Sequence, residues 1–148
     1  MKALVVYDSY FGNTEQVAQT IGGALEAAAE EIEILRVKEV EPQQLTGADL
    51  VILGSPTRAF KASDGTNKLL KAIPRQGLEG VKVAAFDTRF PMGETQSPFL
   101  RMLVKIFGYA AEPTAKRLRQ KGGELVVPPE GFFVTDTEGP LKEGELER

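Results

Sequence analysis

Short apolar runs without polar alternation, separated by stretches of helical period, constrain this chain more than any other feature. Ala3 to Tyr7, Leu50 to Leu53 and Val81 to Phe86 give way to Asp8-Ser9, Gly54-Ser55-Pro56 and Asp87-Thr88. Runs of this kind read as strands buried on both faces, and such strands need cover above and below the sheet. Between them, Val17, Ala18, Ile21, Leu25 and Ala28 fall on one helical face, with Asn13 and Gln16 expected to form a capping box at its start. Ile32, Ile34 and Leu35 alternate with Glu31, Glu33 and Arg36, as in an edge strand. A further helix is expected from Asn67 to Ile73, closed by Pro74, and a last strand at Leu125 to Val127, resuming at Phe132 to Val134 after Pro128-Pro129. Strands joined through helices imply right-handed crossovers. The expected fold is α/β, a three-layer α/β/α sandwich around a five-stranded parallel sheet.

The 148 residues show no internal repeat or linker, so one domain over 1–148 is expected, with Leu141 to Arg148 reading as a final helix that is short or truncated. Cysteine and histidine are absent, which removes thiolate nucleophiles, imidazole bases and the commonest zinc ligands. Chemistry would then come from a bound organic cofactor or from a carboxylate Mg²⁺ site. The net charge of -3 and pI near 5.2 argue against a nucleic-acid binder. No run approaches the length of a membrane span and the amino terminus lacks a secretory pattern, so a cytoplasmic location is expected.

Ser9-Tyr10-Phe11-Gly12-Asn13-Thr14 joins the first strand to the first helix. There an open α/β sheet gathers free backbone N–H groups and the positive end of a helix dipole. Ser9, Asn13 and Thr14 add side-chain donors, enough to hold a phosphate without the lysine of a Walker-type loop. Their other reading is as ordinary turn and cap residues. Tyr7-Asp8-Ser9, Gly12-Asn13-Thr14-Glu15 and Ala18 resemble the phosphate-binding signature of the flavodoxin family, and the likeness extends through the strand near Leu125. It implies FMN as cofactor, with Ser9, Asn13 and Thr14 as phosphate ligands and the backbone of Tyr10, Phe11 and Gly12 closing around them. Phe11 stands where flavodoxins usually carry threonine; quinone reductases of the same fold place an aromatic there.

The resemblance also implies strand order 2-1-3-4-5, which sets the ends of strands 1, 3 and 4 side by side at the topological switch point. Ser55, Pro56, Thr57, Arg58, Ala59 and Phe60 would then line one side of the isoalloxazine ring, and Asp87, Thr88, Arg89 and Phe90 the other. Phe60 or Phe90 could stack on the ring, or both could be core residues. Arg58 and Arg89 are solvated charges or, beside the ring, cations that favour its anionic reduced form by about 1 to 3 kcal/mol and raise its potential. A receiver domain shares this architecture but needs a carboxylate after strand 3, where Gly54-Ser55 stand, and a lysine after strand 5, where the chain has its proline-rich break.

Phe99, Leu100, Leu103, Ile106 and Phe107 repeat at helical spacing, and a basic helix through Lys116, Arg117 and Arg119 follows Pro113. The first stretch reads as a core helix with a solvated charged face. Its sharper reading is a flap or partner surface beside the flavin, with a homodimer through 97–107. The function implied is FMN-dependent electron transfer to a redox partner protein or quinone, with no side chain acting as acid, base or nucleophile. Two alternatives stand beside it: an NAD(P)H- or quinone-linked FMN oxidoreductase, and a flavin-free binding module of the same fold.

Overall fold

The central strands carry unbroken apolar runs because helices cover both faces; Ala3, Leu4, Val5 and Val6 have no exposed surface. The computed structural model describes residues 2–9, 12–26, 29–56, 62–89, 111–127, 129–133 and 141, with the backbone alone at 89, 130, 132 and 133. The elements are β1 (Lys2–Tyr7), α1 (Asn13–Leu25), β2 (Glu31–Arg36), a 3-10 turn (Val37–Glu39), α2 (Pro42–Thr46), β3 (Leu50–Pro56), α3 (Asp64–Ala72), β4 (Lys82–Arg89), α4 (Ala111–Gln120), β5 (Glu124–Leu125) and β6 (Glu130–Phe133). All pairings are parallel, in the order β2-β1-β3-β4-β5. β6 also pairs β4, against Phe86 to Arg89, while β5 lies against Lys82 and Val83. The two are one interrupted fifth strand, and Pro128-Pro129 in the gap cannot donate to a ladder.

Alternation along the strands sorts side chains into two cores. Leu4, Val6, Val51, Leu53, Val83 and Ala85 pack with Leu45 of α2, Leu69 and Leu70 of α3, and Ala115 and Leu118 of α4. On the other face Val5, Tyr7 and Phe86 pack with Val17, Ala18, Ile21 and Leu25 of α1 and with Leu141. Burying one such side chain contributes roughly 1.5 to 3 kcal/mol, so the two faces together hold the sandwich closed.

The architecture and strand order follow the sequence reading; several boundaries do not. β3 runs through Gly54-Ser55-Pro56 and β4 through Asp87-Thr88 because these residues pair with each other: Gly54 with Phe86, Ser55 with Asp87, Pro56 with Thr88. Gly54 is required at its position, since a methyl there would overlap the Phe86 ring. The Asn13–Gln16 capping box does not form: the cap of α1 is Gly12, with Asn13 its first helical residue. α3 starts before Asn67, because Ser63 caps it by accepting from the Thr66 N–H at 3.2 Å. Pro113 falls in the first turn of α4, where its missing N–H has no helical partner to lose. The short α2, framed by Glu41 and Gln44, was not foreseen. The 97–107 segment lies outside the described residues.

Candidate functional site

The end of β1 is drawn into a tight turn by its own polar residues. Asp8 N–H donates to the Gly54 carbonyl at 3.1 Å. The Asp8 carboxylate accepts from Ser9 N–H at 3.0 Å, and Ser9 Oγ accepts from Gly12 N–H at 2.9 Å. Gly12 then turns into α1 with φ +88°, left-handed backbone that glycine adopts at little cost. Gly12, the N-cap, has no side chain to cap α1, and among the described residues a Cβ added there would meet nothing within 4 Å. The first amide donors of α1 and the positive end of its dipole gather at this turn. Ser9, Asn13 and Thr14 around it are buried. This donor set of amides and hydroxyls fits a phosphate group, because it supplies hydrogen bonds at fixed positions without needing a counter-ion.

Two contacts brace this turn from behind. Thr14 Oγ1 and Thr88 Oγ1 share a buried hydrogen bond of 2.9 Å, tying the first turn of α1 to the end of β4. Tyr7 donates its hydroxyl to Glu15 Oε1 at 3.1 Å, with the Arg36 guanidinium 5.5 Å from the centre of its ring. Burial, then the hydrogen bond and charge of Glu15, push the Tyr7 hydroxyl pKa up, against a smaller opposing effect of Arg36.

The ends of β3 and β4 divide by the face their residues occupy. Ser55 and Asp87 continue the face covered by α3 and α4, and both are fully buried. Ser55 Oγ accepts from Ser63 N–H at 3.0 Å and donates to the Pro56 carbonyl at 3.0 Å, so it pins the base of the segment between β3 and α3. Asp87 Oδ2 accepts from Ala111 N–H at 2.7 Å, at the start of α4. Thr88 lies one residue on and points to α1.

Of the residues proposed from sequence, the structure thus brings Ser9, Gly12, Asn13, Thr14 and Thr88 together, with Pro56 beside Thr88 in the sheet. Ser55 and Asp87 sit at the same edge but direct their side chains into the fold. Tyr10, Phe11, Thr57, Arg58, Ala59, Phe60 and Phe90, and the side chain of Arg89, lie outside the described residues. Sequence reasoning missed Ser63 and Thr66, whose hydroxyls meet at 2.8 Å in the buried edge. Their Ser-x-x-Thr spacing at a helix start was the available signal.

A doubly wound parallel sheet whose first strand leads through a tight glycine turn into a helix belongs to the class of open α/β domains that bind ligands beyond the carboxyl ends of their strands. Within that class the chain belongs to the flavodoxin family: a family model described as a flavodoxin domain matches residues 4–126. It is 25% identical over 134 residues to a probable flavodoxin 1 of Bacillus subtilis, an alignment covering 87% of this chain and 80% of that protein. It is 30% identical over 132 residues, 85% of its length, to an NADPH-dependent diflavin oxidoreductase 1 of Emericella nidulans, of which it spans only 18%. The oxidised flavodoxin 2 of Bacillus cereus superposes with a TM-score of 0.77 at 25% identity, covering 99% of this chain and 91% of that one. No helix among the described residues is long and apolar enough to cross a membrane.

Proposed function

We propose that this protein binds FMN at the carboxyl edge of its sheet and carries electrons between redox partners, a protein or a quinone among them. The observation that carries the reading is the glycine-started α1, whose first turn gathers backbone amides beside the buried neutral side chains of Ser9, Asn13 and Thr14. Members of its family bind flavin, typically FMN, which supports the choice of ligand. When bound, FMN supplies one- and two-electron chemistry that no side chain here provides.

The residues have distinct tasks in this reading. Ser9 Oγ already accepts from Gly12, which leaves its own proton to donate to a phosphate oxygen. Asn13 and Thr14 extend the donor set from the first turn of α1. Ser55 and Asp87 do not touch the ligand with their side chains; they hold the bases of the segments that continue from β3 and β4. Thr57, Arg58, Ala59, Phe60, Arg89 and Phe90 follow those bases in sequence and are assigned to the ring.

A second reading is supported by the relative named as an NADPH-dependent diflavin oxidoreductase, matched over most of this chain. In it the domain serves as the flavin carrier of a reductase, with electrons arriving from a nicotinamide donor. The first test is absorbance after incubation with FMN and desalting. Retained flavin bands near 375 and 450 nm, typical of oxidised flavins, and their loss in Ser9→Ala are expected; a colourless wild-type protein refutes FMN binding. Turnover with NADPH and a quinone, by a protein that retains flavin, would favour the reductase.

A further inference from the structure

We propose that the cleft between α3 and α4 is a second anion site, built for a small phosphate-bearing molecule and separate from the α1 turn. The cleft encloses about 510 Å³, within the ordinary range of small-molecule sites. Asp64, Asn67, Lys68 and Lys71 line it from α3, at spacings that place them along one side of a helix, and Thr114 and Arg117 face them from α4. Among the described residues of its lining, three cations thus stand against one carboxylate. Among the described residues no carboxylate oxygen lies within 4 Å of Lys68, Lys71 or Arg117; the ion pair that forms, Lys2 with Glu31 at 3.8 Å, is elsewhere.

Two further features mark the cleft as prepared rather than merely charged. Arg117 Nη1 donates to Asn67 Oδ1, while Asn67 Nδ2 donates to the Ala62 carbonyl at 3.2 Å, so a fixed amide holds the guanidinium in place. Its remaining donors form the planar fork that matches phosphate. Thr114 is 1% exposed and its Oγ1 has no hydrogen-bond partner. A buried hydroxyl left unpaired is a cost to the fold, and rotation of the Thr114 side chain toward the cleft it lines would let a ligand oxygen relieve it. Because α3 and α4 cover the opposite face of the sheet from α1, both anion sites can be filled at once.

The test titrates inorganic pyrophosphate calorimetrically into the FMN-saturated protein at low ionic strength, so that the α1 turn is already occupied. Saturable binding that weakens with added salt is expected, reduced about tenfold or more in Lys71→Gln and in Arg117→Gln. Thr114→Val should also weaken it, while leaving the melting temperature of the pyrophosphate-free protein unchanged or higher. Lys82→Gln, at the other end of β4, should have no effect. Lys71 is exposed, so its variant keeps the test sound even if Arg117→Gln fails to fold. Adenosine 5′-monophosphate binding more tightly than citrate supports the phosphate class, and the reverse order overturns it. No saturable binding, or binding indifferent to Lys71→Gln and Arg117→Gln, overturns the site. If the protein takes up no FMN, pyrophosphate binding lost in Ser9→Ala but kept in Arg117→Gln locates it at the α1 turn and overturns the proposal as well.

Discussion

The hydroxyl pair between Thr14 and Thr88 should behave as one unit. Both residues are buried, Thr14 at 1% and Thr88 at 5% exposure, and their oxygens are 2.9 Å apart. Thr→Val at either position keeps the shape of the side chain but strands the partner hydroxyl in a dry site, at a cost of about 1 to 3 kcal/mol. For a domain of this size that corresponds to a drop of about 3 to 10 °C in melting temperature. Replacing both removes the pair without leaving either group unpaired, so the double variant should be destabilised by less than the sum of the singles, with a coupling of at least about 1 kcal/mol. Urea unfolding of the four proteins without FMN measures the cycle, and the same series with FMN added separates a brace from a ligand. If Thr14 also binds phosphate, the stabilisation conferred by FMN falls in Thr14→Val and in the double variant but not in Thr88→Val. Single effects that simply add, to within about 0.5 kcal/mol, would refute the pairing as an energetic unit.

Other consequences follow from single contacts. Gly54→Ala places a methyl against the Phe86 ring and should cost about 1 to 3 kcal/mol by urea unfolding; a neutral variant would mean that the ring moves aside freely. Asp87→Ala removes the acceptor of the Ala111 N–H and should cost about 1.5 to 3 kcal/mol, whereas Asp87→Asn, which keeps a carbonyl acceptor, should cost less; equal losses would show that the acceptor is not what matters. The raised pKa of Tyr7 means that the folded protein holds this proton more tightly than the unfolded chain. Its contribution is therefore complete below the unfolded value near 10 and is lost as pH rises through the higher folded value. Tyr7→Phe should lower stability at pH 8 and flatten the alkaline fall in urea midpoint between about pH 9 and 11; parallel wild-type and variant curves would refute this.

The strands were legible because both faces of the sheet are covered, which leaves an apolar signature in Ala3 to Tyr7 that no exposed strand would share. The edge position of β2 was legible for the opposite reason: Glu31 and Glu33 remain exposed beside partly buried Ile32 and Ile34. The strand ends were not, because Ser55, Pro56, Asp87 and Thr88 look like turn formers until the register pairs them across β3 and β4. The cap of α1 was misread because Asn13 is a favoured cap type, and only the backbone reveals that the left-handed turn falls one residue earlier, at Gly12. The α3–α4 cleft left no local trace, since Asn67 and Arg117 are 50 residues apart and each alone is an ordinary residue of a helix surface.

The alternation that built the two cores also decides what the polar residues beyond them can do. Extended past Leu53 and Ala85, the period of two sends Ser55 and Asp87 under α3 and α4, where water is excluded and each must find a partner within the fold. The partners at hand are the N–H groups of Ser63 and Ala111, at 3.0 and 2.7 Å, which belong to the segments that enter those helices. Thr88, one residue further, falls on the α1 face and meets Thr14 instead. Polar residues that look equivalent in the sequence thus separate into anchors for two loop bases and one contact to the α1 turn. Under the FMN proposal, substitutions beyond Pro56 and Arg89 should leave both the sheet and the α1 turn undisturbed, because the anchoring bonds lie in strand residues whose direction the pleat has already set.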